Sequence, residues 1–251
     1  MPGNISAVCE SFVRDGFVKM VSCLKPGEIK ILRGQVERYI KDVVPTLNST
    51  EAFREGENAS QKLKQLQRME KHDDWFAEFG LQMKWMDLAE RLLEQEVVLN
   101  GVEWFNKPAR IGRPTPPHQD GYYFCLKPDE AVTLWFAVDD VDEQNGCLRY
   151  ARGSHLGNIR PHGRSSVLGF SQSILDFGDN DRADAYTAKM TSGDMVAHHS
   201  RTIHWADGNK STRSRQSLAL VFFSQRAQRD EQAQNRYQKS VDCQHSELGV
   251  A

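Results

Sequence analysis

The sequence predicts an α+β fold in which N-terminal helices buttress one face of a β-sandwich or jelly roll. Three observations carry that prediction. Apolar residues recur at helical spacing through much of residues 1–95. From residue 96 the pattern changes to short apolar or alternating runs separated by Gly, Pro and Asn. The chain has 251 residues and no internal repeat, a size at which one all-β or mixed core forms a single domain. One domain is therefore expected over 1–251, with helical support in 1–95, the strand-rich core in about 96–226 and a polar tail in 227–251.

Each element has its own local reason. Residues 4–14 place Val8, Phe12 and Val13 on one side of a short helix. Asp15-Gly16-Phe17-Val18-Lys19-Met20-Val21 then alternates as a strand after a Gly turn. Pro26-Gly27-Glu28 opens a helix that runs to about Val44, with Ile29, Leu32, Val36, Tyr39 and Val43 at helical spacing, and Pro45 stops it. Polar residues 46–60 read as a loop. Residues 61–97 regain helical periodicity, as two helices broken near His72-Asp73-Asp74, with Trp75, Phe76, Phe79, Trp85 and Met86 as core.

Val97-Val98-Leu99 and the stretch Val102 to Lys107 read as strands, and 108–117 is a loop with four prolines. Val132 to Val138 is apolar throughout, the mark of a strand buried on both faces. Asp139 to Gly146 is an acidic turn closed by Asn-Gly. Cys147 to Ala151 follows as a strand, and residues 156–187 lack periodicity and read as a functional loop or lid. Ala188 to Met190, Met195 to His198 and Ser217 to Ser224 complete the strands. After Arg226 the chain is charged and Gln-rich, an exposed helix or a partly ordered tail.

Composition excludes several classes. A net charge of −2 with no basic run gives no surface for nucleic acid or an anionic membrane. No apolar run approaches the roughly 20 residues of a membrane span, and the first residues lack a secretory pattern. The five cysteines are scattered and never spaced C-x-x-C, so they read as free thiols in a reducing, cytoplasmic setting. The expected partner is a small molecule, and the chain a monomer or homodimer.

One stretch carries chemistry: His118-Gln119-Asp120-Gly121-Tyr122-Tyr123-Phe124, taken with His204 in Ile203-His204-Trp205. On a strand, residues i and i+2 share a face, so His118 and Asp120 present an imidazole and a carboxylate together. A second histidine from a distant strand makes the two-His, one-carboxylate set of non-haem Fe(II) oxygenases, which leaves positions open. The alternative is a hydrogen-bonded His–Asp pair with no metal. His198 and His199 compete with His204; His198 alternates with Val196 as a core residue, while His199 could line the site. His155 is read as structural, and His72, His162 and His245 as polar residues of helix or loop.

Five blocks in order resemble the phytanoyl-CoA dioxygenase family of Fe(II)/2-oxoglutarate oxygenases. They are His118 to Phe124, Leu134-Trp135-Phe136-Ala137-Val138-Asp139, Asn145-Gly146-Cys147-Leu148, Gly153-Ser154-His155, and a distal block of Gly193-Asp194, His204, Asn209, Ser211 and Arg215. The resemblance covers roughly residues 10–225, with Asp15-Gly16-Phe17-Val18 at its start. It implies a double-stranded β-helix, with Fe(II) on His118, Asp120 and His204, and 2-oxoglutarate and O2 as cosubstrates. Arg215, eleven residues after His204 as in the family, would pair with the far carboxylate of 2-oxoglutarate. The resemblance also turns Thr133 and Trp135 toward the cosubstrate and places Asn106 near it. The sequence departs from many relatives at Ala206, where they carry a serine; Thr133 or another hydroxyl would have to replace its hydrogen bond. Because Asp120 keeps the carboxylate that related halogenases lack, the resemblance implies hydroxylation of an unactivated C–H bond, with 2-oxoglutarate converted to succinate and CO2.

For the substrate, Tyr122 and Tyr123 offer polar tips, and Lys107, Arg160, His162 and Arg201 offer positive charge or donors to an anionic group. A small anionic or zwitterionic metabolite is expected, with 2-aminoethylphosphonate as the leading example and an acyl-CoA or an ectoine-like amino-acid derivative as the alternative. A cupin-like metabolite-binding protein without redox chemistry is the competing class.

Overall fold

A computed structural model describes residues 4–48, 50–55, 62–167 and 170–248. Its layers follow from the alternation of side chains along the sheet strands. Helix α1 (Ile5–Asp15) starts where the Asn4 side chain accepts a hydrogen bond from the Ser6 N–H. It ends at Gly16, whose φ of +82° suits glycine, and a Cβ there would collide with the His155 ring. Strand β1 (Phe17–Met20) leads to α2 (Pro26–Asp42), followed by α3 (Asp74–Gly80, capped by Asp73) and α4 (Met83–Leu93).

A seven-stranded antiparallel sheet lies against these helices. Its strands include β2 (Ala52–Glu55), β3 (Lys62–Leu66), β4 (Val97–Lys107), β7 (Ala131–Ala137), β12 (Met195–His199) and β14 (Arg215–Ser224), in the order β1-β12-β7-β14-β4-β3-β2. Leu218, Leu220 and Phe222 of β14, Val102 and Trp104 of β4, and Leu134 and Phe136 of β7 point toward the helices. There they meet Leu32, Val36, Tyr39, Phe76, Trp85 and Leu88. Phe136 is fully buried with the Trp85 ring 4.8 Å away, so Phe136→Ala should cost about 3–5 kcal/mol.

The opposite face of the large sheet carries a different set. Glu103, Phe105 and Lys107 of β4, Arg215 and Ala219 of β14, and Thr133 and Trp135 of β7 all border one cavity. Across it lies a four-stranded sheet of β5 (Thr115–His118), β8 (Leu148–Ala151), β11 (Ala185–Thr187) and β13 (His204–Ala206), in the order β11-β8-β13-β5. Phe17, Trp135, Leu148, Tyr150 and Val196 pack between the sheets and close one end. This is the expected α+β jelly roll with helices behind one sheet. The remaining strands are the pair β6 (Leu126–Lys127) and β15 (Gln228–Arg229), and the hairpin β9 (His162–Val167) and β10 (Phe170–Ile174). Short helices α5 (Asp120–Phe124) and α6 (Asp179–Ala183) and the C-terminal α7 (Glu231–Leu248) complete the chain.

Several expectations are corrected. Part of the expected loop 46–60 is strand β2, and the start of the expected helix 61–97 is strand β3; residues 49 and 56–61 lie outside the described residues. The reason is local: Leu63 and Leu66 are three apart and mimic a helix, while Lys64 and Gln65 are buried on the polar cavity. The helical break falls between Gly80 and Met83, because His72-Asp73-Asp74 forms the start of α3. The segment 156–187 holds a hairpin, a short helix and an edge strand, with residues 168–169 outside the described residues. Strand pairing there ends at Thr187, and Met190 makes only an isolated bridge to Val141. The polar tail is helix α7.

Candidate metal centre

His118 is the last residue of β5, and His204 the first of β13, directly opposite it in the antiparallel ladder. Their rings approach to 4.2 Å between centroids. Asp120 does not share the strand, contrary to the sequence expectation: β5 ends at His118, Gln119 is extended, and Asp120 is the first residue of α5. The turn still returns the carboxylate to the histidine side. Its Oδ1 lies 3.4 Å from His118 Nε2 and 3.6 Å from His204 Nε2, and one ligand atom from each of the three residues lies within 4.8 Å of the others.

Backbone carbonyls orient both rings. His118 Nδ1 donates to Pro116 O at 2.7 Å, and His204 Nδ1 donates to Thr202 O at 3.0 Å. A nitrogen facing a carbonyl must carry the proton, which leaves each Nε2 as a lone-pair donor toward Asp120 in the neutral tautomer. Burial, reinforced by the neighbouring His118, pushes His204 well below the usual imidazole range and keeps it neutral. Burial works against the Asp120 carboxylate, but the histidines facing it, His204 first and then His118 and His198, outweigh it and hold the group well below the usual carboxylate range. Two imidazole Nε2 atoms facing an ionised carboxylate, open toward a cavity of about 180 Å³, suit a divalent first-row metal with free positions.

Asp120 is held from its outer side as well. Thr133 Oγ1 donates to Asp120 Oδ2 at 3.0 Å, and His198 Nε2 lies 3.1 Å from the same oxygen. Tyr150 Oη is 3.1 Å from His198 Nδ1. The expected roles of His198 and His199 are therefore exchanged. His198 pairs across the sheet with Thr133, which faces the cavity, so His198 faces it too. His199 points the other way, toward Phe12 and His155. The Thr133 hydroxyl, spent on Asp120, is not the replacement for the missing serine.

Arg215 lies elsewhere on the same cavity, 3% exposed. Its Nη1 donates to Ser217 Oγ at 3.2 Å and its Nη2 to Gly146 O at 3.2 Å, while the buried Nε has no partner. The Trp135 ring flanks it at 5.1 Å. Among the described residues no carboxylate ion-pairs with it, and burial pushes it down to about 10. A buried guanidinium with a free donor and no counter-ion fits the far carboxylate of a dicarboxylic acid. Ala206 is buried on β13, and Ser217, two residues from Arg215 on the same strand face, supplies the hydroxyl at the guanidinium.

The remaining candidates divide. Asn106 borders the cavity, donates from Nδ2 to Leu63 O and buries an unpartnered Oδ1. Lys107 also borders it, but its Nζ donates to Arg113 O at 2.5 Å; burial and then Arg215 push it well below the usual lysine range. Tyr123 borders it with its hydroxyl on Gln172 O. Tyr122, Arg160, His162 and Arg201 do not line it. Tyr122 and His162 stack on each other at 4.2 Å behind the metal strand, with His162 Nε2 accepting from the Gln119 N–H. Arg160 pairs with Asp176 and Asp181, and Arg201 turns to Gly157 O. Among the cavity residues that went unread in the sequence, three bring polar groups from unexpected places. Tyr237 reaches in from α7, its hydroxyl 3.3 Å from Ser171 Oγ, while Gln65 and Glu103 sit together on β3 and β4.

The phytanoyl-CoA dioxygenase family profile matches residues 12–217. The chain belongs to the phytanoyl-CoA dioxygenase family. The human peroxisomal phytanoyl-CoA dioxygenase is 33% identical over 127 residues, which is 47% of this chain and 37% of that protein. A probable alpha-ketoglutarate-dependent hypophosphite dioxygenase of Stutzerimonas stutzeri is 23% identical over 84% of this chain and 76% of its own length. The match to the peroxisomal relatives thus spans little more than a third of their length. Among solved structures, the epimerase SnoN in complex with Fe3+, alpha ketoglutarate and nogalamycin RO superposes with a TM-score of 0.74 at 23% identity, over 89% of this chain and 84% of that one. EctD from S. alaskensis with 2-oxoglutarate and 5-hydroxyectoine gives 0.71 at 17% identity, over 86% and 74%. These likenesses establish the fold in common. His118, Asp120, His204 and Arg215 fall inside the matched segment.

Proposed function

We propose that this chain is an Fe(II)- and 2-oxoglutarate-dependent dioxygenase that hydroxylates an unactivated C–H bond of a small polar metabolite. The supporting observation is the pairing of two features in one cavity: three converging ligand groups, and a buried guanidinium with no counter-ion. His118, Asp120 and His204 would hold the iron. Arg215, with Ser217 and Trp135 beside it, would bind the far carboxylate of 2-oxoglutarate. Iron bound there supplies O2 activation coupled to decarboxylation of 2-oxoglutarate to succinate and CO2.

The chain's own part is to bind, orient and exclude water. The carbonyls of Pro116 and Thr202 fix the imidazole tautomers, and Thr133 and His198 hold the carboxylate. Ring edges of Tyr123 and Tyr237 cover the metal side, 5.7 Å between centroids. A substrate entering beside them meets both signs of charge, since Lys64, Arg113, Glu55 and Glu103 all border the cavity. That balance supports a zwitterion, and 2-aminoethylphosphonate is the leading candidate over an acyl-CoA or an ectoine-like derivative.

The test is succinate formation from 2-oxoglutarate by the Fe(II)-loaded protein in oxygen, with each candidate substrate in turn. Substrate-stimulated succinate with a hydroxylated product supports the reading. Iron and 2-oxoglutarate bound without any succinate would return the chain to a metabolite-binding jelly roll.

A further inference from the structure

Glu103 is a charged side chain that neither the metal ligands nor Arg215 employ. It sits on β4, on the cavity side of the large sheet. In the ladder it is opposite Ala219, which is in turn opposite Trp135. The central position of that row is thus a methyl group, and space is left between the carboxylate on one side and the indole on the other. Gln65 Nε2 donates to Glu103 Oε2 at 3.2 Å. Gln65 is itself only 2% exposed, and its Oε1 is buried with no partner. Among the described residues, no cation ion-pairs with Glu103. The nearest lysine on its strand face, Lys107, lies two pleats away and is committed to the Arg113 carbonyl. The Lys64 ammonium lies 3.7 Å from Glu55 instead.

A partly buried carboxylate with one donor, beside an amide carbonyl with none, is an acceptor pair short of hydrogen bonds. Removal from water, with the Asp120 and Glu70 carboxylates adding to it, pushes Glu103 up to about 7 despite the Gln65 hydrogen bond, so the ionised form is under-compensated. Iron(II), Asp120, a 2-oxoglutarate dianion and Arg215 sum to zero charge, and Glu103 then needs one positive charge more. Resting on the oxygenase reading above, we infer that Glu103 and Gln65 form the cation-recognition subsite of the substrate. The substrate therefore carries a protonated amine, whose N–H groups bond the Glu103 carboxylate and the Gln65 carbonyl while its carbon chain lies over Ala219. A charge-assisted hydrogen bond is about twice as strong as a neutral one and selects strongly against an analogue lacking the donor.

The experiment uses Mn(II)-loaded, 2-oxoglutarate-bound protein without oxygen. Dissociation constants are read from paramagnetic broadening of probe proton lines, which also reports that the probe sits near the metal. Two matched pairs serve as probes: 2-aminoethylphosphonate against propylphosphonate, and 4-aminobutanol against pentanol. The amine of each pair should bind about tenfold or more tightly. In Glu103→Gln, which keeps the shape of the side chain, that preference should fall to near one while 2-oxoglutarate affinity changes less than about threefold. Equal binding within the pairs, or an undiminished preference in Glu103→Gln, overturns the inference. Loss of 2-oxoglutarate binding in Glu103→Ala that Glu103→Gln restores also overturns it, because the residue then serves the cosubstrate. If the wild-type Mn(II) protein fails to take up 2-oxoglutarate at all, the oxygenase reading itself fails and the subsite falls with it.

Discussion

His198 Nε2 lies 3.1 Å from Asp120 Oδ2, and the Thr133 hydroxyl reaches the same oxygen at 3.0 Å. The oxygen left for a metal is Oδ1, which faces both His118 and His204. The outer pair therefore decides which carboxylate oxygen is offered and at what angle. Replacing His198 with Phe keeps the ring volume and removes the hydrogen bond. Iron(II) affinity should fall about 10–100-fold with the fold retained, as measured by metal titration and thermal melting. An unchanged affinity would show that Asp120 is oriented without it.

Arg215 should act on the cosubstrate and not on the metal. Arg215→Ala removes one side of a buried charge pair, an effect of about 2–5 kcal/mol on 2-oxoglutarate binding. Arg215→Lys should recover only part of that, because an ammonium cannot match both carboxylate oxygens. Titrating 2-oxoglutarate into metal-loaded variants checks this, and iron affinity should stay within about twofold throughout.

Helix α7 touches the site through Tyr237 and through Ser240 Oγ, which accepts from Gln172 Nε2 at 2.8 Å. Ending the chain after Arg229 should open the metal face to water and leave the melting temperature nearly unchanged. Succinate formed in the absence of substrate should then rise relative to substrate-dependent turnover. Equal uncoupled turnover in the two proteins would assign α7 no role in closing the cavity.

The candidate metal ligands were legible because their chemistry fixes residue type and the chain fixes spacing. His118-x-Asp120 and the eleven residues from His204 to Arg215 survive any error in drawing the strands. What resisted reading depended on which face a strand turns inward. His198 does share a face with Val196, as alternation demands, but only its pairing with Thr133 reveals that this face borders the cavity. The β2/β3 hairpin was hidden for a related reason. Its buried side chains Glu55, Lys64 and Gln65 are polar, so the apolar pattern that marks a strand is missing. Arg160 illustrates the reverse error: a cation visible in the sequence, neutralised by Asp176 and Asp181 across a loop that no local pattern predicts. In the charged tail, a lone Tyr237 among Gln, Arg and Lys was the one signal that the helix has something to cover.

Acid should destabilise the protein through histidines outside the metal set. Burial, then the nearby Arg201, pushes His199 down from 6.5 to about 3, so it is neutral when folded and protonates near its ordinary value when unfolded. The unfolded chain binds the extra proton between those values, and stability is lost as pH falls through that window. Denaturation midpoints of the metal-free protein should drop below about pH 6.5, with a slope near 1.4 kcal/mol per pH unit from this group. His199→Gln should flatten the slope, and an identical slope in the variant would remove His199 from the account.

We propose that iron on His118, Asp120 and His204 and 2-oxoglutarate on Arg215 share one cavity. Anaerobic addition of Fe(II) and then 2-oxoglutarate, followed by visible absorption, tests it most directly. A weak charge-transfer band should grow on the second addition, vanish in Asp120→Ala and His204→Ala, and demand far more 2-oxoglutarate in Arg215→Ala. Iron bound by the wild-type protein with no band at saturating 2-oxoglutarate would contradict the claim.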